Sequence, residues 1–320
     1  MATADDAQVN VSGRVRAFAP LLALAVLAAC CAVLRARADR VAPATVEASF
    51  DIPNFPAEVV RPFSFGLRSV GADVMFLQAI QVHGGRTASR MLTAQQGVRD
   101  DRAMNRLLTY ATDLDPQFAG AYRFAGNAMP RQTLDGKVVN ALQAEALLTK
   151  GVRERGDDWH IPFALGFLQS YFLGHFEEAG KNFAAAARLP GTPRYVGLLA
   201  TRALTEGGDL AMAERLALAM AEQATEESAQ REWAERLVDL RMERDLREIE
   251  AAAVRHAART GQQATSVAAL VRAGELRGMP REPHGGEYLL DEHGEARSSV
   301  KPRLRISGRR GTLAQVEVQP

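Results

Sequence analysis

Gly174-His-Phe-Glu-Glu-Ala179-x3-Phe183-x2-Ala186 recurs, 34 residues on, as Gly208-Asp-Leu-Ala-Met-Ala213-x3-Ala217-x2-Met220. The same frame fits Ala144-x3-Leu148-x2-Gly151 one unit earlier, at a spacing of 35. Further back, Leu108-x2-Ala111 leads through Leu114-Asp115-Pro116 to Ala121-Tyr122-x3-Gly126, and Leu165-Gly166 opens the unit that contains Gly174. A fixed period of this length marks one supersecondary unit used repeatedly, each burying a face against the next. Gly174 and Gly208 stand where a turn needs positive φ or close approach. Ala179 and Ala213 stand where helices cross too closely for a larger side chain, and Phe183 and Ala217, four residues on, share their face. Pro116 and Pro190 fall where a helix must stop.

These residues resemble the tetratricopeptide repeat family, whose unit places Leu-Gly in helix A, Gly at the turn, Ala and an aromatic or Leu in helix B, and Pro near the end. Two departures stand out. Gly166 to Gly174 is one residue longer than the family's spacing, and the 136–144 region lacks a clear turn glycine. The alternative is a set of generic antiparallel helices. Three units are recognisable, with a degenerate fourth around 67–115, and three is the number a stable stack needs. Leu67 to His83 resembles the first helix of a group of bacterial membrane-anchored proteins of this family. Glu226 to Arg259 reads as a long charged capping helix, with Trp233, Leu237, Leu240, Leu246, Ile249 and Val254 as its apolar stripe. The resemblance implies a partner groove lined by the A helices. By position, its candidates are Arg123 and Asn127, then His160, Phe163 and Tyr171, then Tyr195 and Arg202. Phe163 reads equally well as core.

Composition bounds the rest. The chain has 320 residues, with 39 Lys+Arg against 38 Asp+Glu for a formal net charge of +1. That balance excludes a protein built mainly to neutralise nucleic acid. At 47% hydrophobic and 24% charged residues the composition is globular, which rules out wholesale disorder. Two adjacent cysteines, Cys30 and Cys31, give neither a disulfide framework nor a spaced metal-ligand set.

Ala17 to Leu34 carries no charge and would span about 27 Å as a helix, near the minimum for crossing a bilayer. It reads first as a single transmembrane anchor. Leu27-Ala28-Ala29-Cys30 resembles the bacterial lipobox, which would make Cys30 a lipidation site; a soluble core helix is the third and weakest reading. Arginine flanks of two before and three after mildly oppose an exported body. The short leader and lipobox-like end favour one, so an extracytoplasmic, periplasmic body is expected. The proline-bearing segment 41–66 then reads as a stalk or packing arm.

After Gly261 the pattern changes. Leu270-Val271-x2-Gly274-x-Leu276-x3-Pro280-x2-Pro283-x-Gly285-Gly286-x-Tyr288-x-Leu290-Asp291 is similar to the end of the major pseudopilin of general secretion. This chain departs from it at Glu282, where that family has Asp, and at Glu287, where it has Pro. No calcium ligands carry over. The segment predicts a helix end at Pro280, a strand over 287–290, a turn at Asp291 to Gly294 and a second strand over 296–300. Functionally it is either a docking feature of an envelope assembly or a cap on the last helices. The tail from Lys301, with five basic residues and one acid, reads as solvated.

No catalytic constellation emerges. The six histidines form no His-Glu-x2-His and no i, i+4 pair, and each reads as a surface or turn residue. Gly174-x5-Gly180-Lys181-Asn182 departs from a phosphate loop in both spacing and the magnesium-binding hydroxyl. The organisation expected is a leader with anchor or signal (1–40), a proline-rich arm (41–66), a helical repeat body (67–259), a C-terminal module (260–300) and a basic tail (301–320). The fold expected is all-α, a tetratricopeptide-like hairpin stack with an N-terminal membrane helix and a small β-hairpin cap. Neither enzyme activity nor a cofactor or metal is expected. The function expected is a membrane-anchored scaffold binding a protein or peptide in the bacterial envelope, without nucleic acid. The alternatives are an assembly factor of a pilus or secretion apparatus, and a helical enzyme whose site has no signature.

Overall fold

A computed structural model describes residues 26, 28–33, 37, 67–88, 94–132 and 137–304, side chains excepted at 86–88 and 94–99. By internal packing the chain divides into Met1–Asp51 and Ile52–Pro320. In the first unit, 28–33 is helical, and the thiols of Cys30 and Cys31 are free and exposed. The span read from Ala17 to Leu34 lies in good part outside the described residues. Among those described, no helix is long and apolar enough to cross a membrane. The proline-rich arm also lies outside them.

The second unit is mostly helical, as its Ala-, Leu- and Glu-rich composition favours. Its elements are α1 (Arg68–Ala88), α2 (Ala94–Leu114), α3 (Ala119–Ala128), a two-residue ribbon β1–β2 (Arg131–Gln132, Val138–Val139), α4 (Ala141–Arg155) and α5 (His160–Leu168). A π turn (Gln169–Leu173) continues α5, followed by α6 (Phe176–Ala187), α7 (Arg194–Glu206), α8 (Leu210–Gln223) and α9 (Glu227–Thr260). The chain closes with α10 (Val267–Arg272) and the antiparallel hairpin β3–β4 (Tyr288–Leu290, Ala296–Ser298). From α3 to α9 each helix packs on the next, and α1 packs on α2. Odd-numbered helices also touch within one layer, α3 with α5 and α7 with α9, while α2 meets α4 in the other.

Small residues let these helices approach. A Cβ on Gly180 would lie 2.6 Å from Leu204 Cγ and 2.7 Å from the Leu204 nitrogen, so α6 and α7 meet with no room for a methyl group. Ala179, Ala186, Ala213 and Ala217 are all buried between helices, around Phe183, Leu204 and Trp233. The turns are short because Gly174 and Gly208 adopt φ of 71° and 98°, a left-handed backbone that costs other residues about 1–2 kcal/mol. Before α4 the chain passes through the β1–β2 ribbon and Asn140, which takes φ of 60°. Between Gly166 and Gly174 the helix widens into the π turn Gln169–Leu173.

The capping helix α9 differs from its sequence reading. Val254 is exposed, and Ala252 and Ala253 pack in its place. The face that meets the C-terminal module carries acids as well as apolar residues. Glu243, only 2% exposed, accepts hydrogen bonds at Oε2 from the Arg303 guanidinium and at Oε1 from the Leu304 N–H. Arg303 Nη1 also donates to Glu250 Oε1 at 2.6 Å, and Lys301 Nζ lies 2.6 Å from Asp239 Oδ1. Leu304 is buried in the same cluster as Leu240 and Trp233. Residues 301–304 are therefore docked on α9, which corrects the solvated reading for this part of the tail. His284 lies in a turn and is partly exposed, with its Nε2 3.0 Å from Asp239 Oδ1.

Within the module, Glu282 serves the turn. One oxygen accepts from the N–H groups of His284 and Gly286 at 2.7 and 2.8 Å, and the other from the Ser298 hydroxyl at 3.0 Å. Burial raises its pKa, but these hydrogen bonds outweigh burial and hold the carboxyl below the usual glutamate range.

Candidate functional site

Three layer-mates, α3, α5 and α7, present a connected polar and aromatic face. On α3, Arg123 and Asn127 stand one turn apart and exposed, and Asn127 Nδ2 donates to the Arg123 carbonyl. Arg123 reaches Asp158, with Nε and Nη2 at 2.6 and 2.5 Å from Oδ2. The other oxygen of Asp158 accepts from the backbone N–H of His160 and lies 2.8 Å from its Nδ1. Burial pushes the Asp158 pKa up, but the hydrogen bonds from His160 and Arg123 prevail and hold it below the ordinary range. Asp158 thus ties α3 to the start of α5.

Aromatic rings continue the face. His160 stacks on Trp159 with centroids 3.8 Å apart. Phe163 lies 5.9 Å from Trp159, 5.7 Å from Phe183 and 6.1 Å from Tyr195, so it joins the buried core of α6 to an exposed ring on α7. Four residues further along α5, Phe167 is 45% exposed, and Tyr171 in the π turn is 58% exposed. Their rings are stacked 5.4 Å apart, with Phe172 edge-on to Tyr171 at 4.9 Å. Two large aromatic rings left this open are what a partner surface offers.

Gln169, buried under the π turn, braces it. Its Nε2 donates to Glu145 Oε1 on α4 at 2.9 Å, and its Oε1 accepts from Asn182 Nδ2 on α6 at 2.8 Å. A half-satisfied amide here would cost more than an apolar residue, so the complete pair of bonds fixes where the turn presents Tyr171.

The residues singled out in the sequence therefore fall into three groups. Arg123 and Asn127 connect to His160 through Asp158, Phe163 connects to Tyr195, and Tyr171 stands with Phe167. Arg202, exposed on α7, belongs elsewhere: it lines a cleft of about 520 Å³ with Asp239, Arg297, Lys301 and Arg303. Sequence reasoning missed Asp158, Phe167 and Gln169. For Phe167 a signal existed, since it lies four residues from both Phe163 and Tyr171. The one-residue excess before Gly174 was the visible mark of the π turn.

Chemically, the face offers recognition: flat rings, a guanidinium, and a carboxylate already engaged by Arg123 and His160. Among the described residues no group of three or more His, Cys, Asp or Glu side chains is placed to hold a metal ion. Comparison with protein-family models, curated proteins and solved structures finds no match for the chain.

Proposed function

We propose that this chain is a membrane-anchored scaffold of the tetratricopeptide type in the bacterial envelope, which binds a protein or peptide partner along the face of α3, α5 and α7. The observation that carries the reading is the exposed Phe167–Tyr171 stack, braced by Gln169. Support for the repeat type comes from α5 and α7, which start 34 residues apart at His160 and Arg194, and from the left-handed turn glycines that follow each. Attachment rests on the uncharged run from Ala17 to Leu34, by a transmembrane helix or by a lipid on Cys30. The periplasmic side rests on the lipobox-like Leu27-Ala28-Ala29-Cys30.

The pilus or secretion reading rests on the C-terminal resemblance. Against it, Glu282 spends its hydrogen bonds inside the module and β4 packs on α9, an arrangement that suits a cap. The decisive experiment is a crosslinking pull-down from membranes with the full chain and with the F167A/Y171A double variant. A partner captured by the native chain and reduced at least about tenfold by the double variant supports the aromatic face, since paired aromatic anchors typically carry more than 1.4 kcal/mol. Equal capture by both would reject it.

A further inference from the structure

Helix α1 is apolar on two opposite faces. One is turned to the body: Ala72, Ala79 and Val82 are buried, and the Phe76 ring meets Phe118 and Phe124 edge-on at 5.0 and 5.5 Å. The other is open. Val70, Val74, Leu77 and Ile80, with Leu67 just before the helix, are 39–63% exposed. The Leu67 carbonyl accepts from the Gly71 N–H at 3.0 Å, so Leu67 stands at the helix cap and in line with the others. A Cβ on Gly84 or Gly85 would meet no atom within 4 Å, so the open side runs on past Ile80. Exposed apolar residues scattered singly need no explanation, but five gathered on one helix do.

Leu67, Val70, Val74, Leu77, Gln81 and Gly84 follow one another at spacings of 3, 4, 3, 4 and 3 residues. That is the a/d alternation of a coiled-coil seam, narrower than the stripe of a helix that only covers a core. Val74 is β-branched at an a position and Leu77 stands at d, the pairing that favours two parallel strands. We propose that α1 pairs with α1 of a second copy of this chain, seam to seam and parallel. Gln81, exposed at the next a position, argues for a second copy over any other occupant. Equivalent a positions meet across the twofold axis of such a pair, so each Gln81 amide, donor and acceptor at once, finds its own kind. A lipid surface would leave that amide unsatisfied. At the flanks, Asp73 at g comes opposite Gln78 of the second copy at e, with no like charge facing it. Because α1 is already folded against α2, pairing does not have to order an isolated short helix. Two stripes of five half-exposed side chains would remove roughly 800–1,000 Å² from water, which with their flanking atoms reaches the low end of specific interfaces, about 1,200 Å². The seam shares no residue with the Phe167–Tyr171 stack, so the two surfaces can fail independently.

The test is sedimentation equilibrium of the full chain in density-matched detergent over a concentration series, beside the V74E/L77E double variant. The native chain should reach twice the mass of one chain. The double variant, shown to be folded by circular dichroism, should need at least about tenfold higher concentration to associate, because apolar contact gives way to acids facing acids. Disulfide trapping reads the orientation. In a C30S/C31S background, V74C and Q81C should each cross-link to its own copy on mild oxidation, since both are a positions, while V254C, exposed on α9 and outside the seam, should not. An antiparallel pair would cross-link at no more than one of the two, which overturns the parallel seam. Should V74E/L77E fail to fold, the cross-links decide. A single-chain mass at every concentration overturns the dimer, and maleimide labelling of L77C then shows what covers the face instead: protection without lipid assigns it to the chain's own residues 52–66, and protection only in phospholipid vesicles assigns it to lipid. Association kept by V74E/L77E, with no cross-link at either position, places the contact elsewhere and also overturns the seam.

Discussion

The joint between α6 and α7 and the joint between α9 and the C-terminal module are both buried, yet they are held by different chemistry. At the first, Gly180 approaches the Leu204 backbone, and Ala179, Ala186 and Ala200 fill the space with methyl groups. At the second, Glu243, Glu250 and Asp239 accept Arg303, Lys301 and the Leu304 N–H across sequence separations of more than 50 residues. The first joint is dry, and its specificity is steric: only small residues fit. In the second, specificity is electrostatic, and each charge depends on a partner far along the chain.

That contrast can be broken most forcefully at Glu243. E243A leaves Arg303 facing one acid fewer and the Leu304 N–H without its acceptor, so a loss of about 3–5 kcal/mol is expected in urea unfolding. A loss under 1 kcal/mol would mean that the strap is not held by this carboxylate. At the steric joint A179L, and on the next helix, α8, A213L, should each cost about 1–3 kcal/mol through overpacking. An unshifted melting midpoint would show that the helices are not in contact there. G174A probes the turn rather than the joint and should cost about 1 kcal/mol, because alanine disfavours the φ of 71°.

The gentlest probe is pH. The Glu282 carboxyl is held below its ordinary range in the folded chain, so its contribution is present above the unfolded pKa of about 4.3 and is lost as pH falls through the lower folded value. Acidification below about pH 4 should therefore open residues 280–300 to hydrogen exchange before α6 and α7, once intrinsic exchange rates are corrected. Simultaneous opening of both regions would erase the distinction drawn between the two joints.

The steric joint was legible because its rule is local. A recurring Gly and Ala at a fixed offset mark the turn and the crossing without any knowledge of the partner helix, and Ala179, Phe183 and Ala213 are buried accordingly. Of the candidate site, the aromatic residues of α5 could be placed on one face by period alone. What the turn does with them could not. The sequence showed one residue too many before Gly174, but whether that residue became a loop, a kink or a π turn depended on Glu145 and Asn182 closing on Gln169 from two other helices. Arg202 lines a cleft with Asp239 and residues 301–304, neighbours that its place in the sequence did not reveal.

By itself the sequence determined a helical chain, its turns and the small residues at its crossings, because backbone preference and side-chain volume act between near neighbours. Only the tertiary structure decided that residues 301–304 lie against α9, with Lys301 meeting Asp239 and Arg303 meeting Glu243 and Glu250. Those outcomes are charge pairings between distant segments, and a charge in a sequence carries no mark of the partner that folding will bring to it.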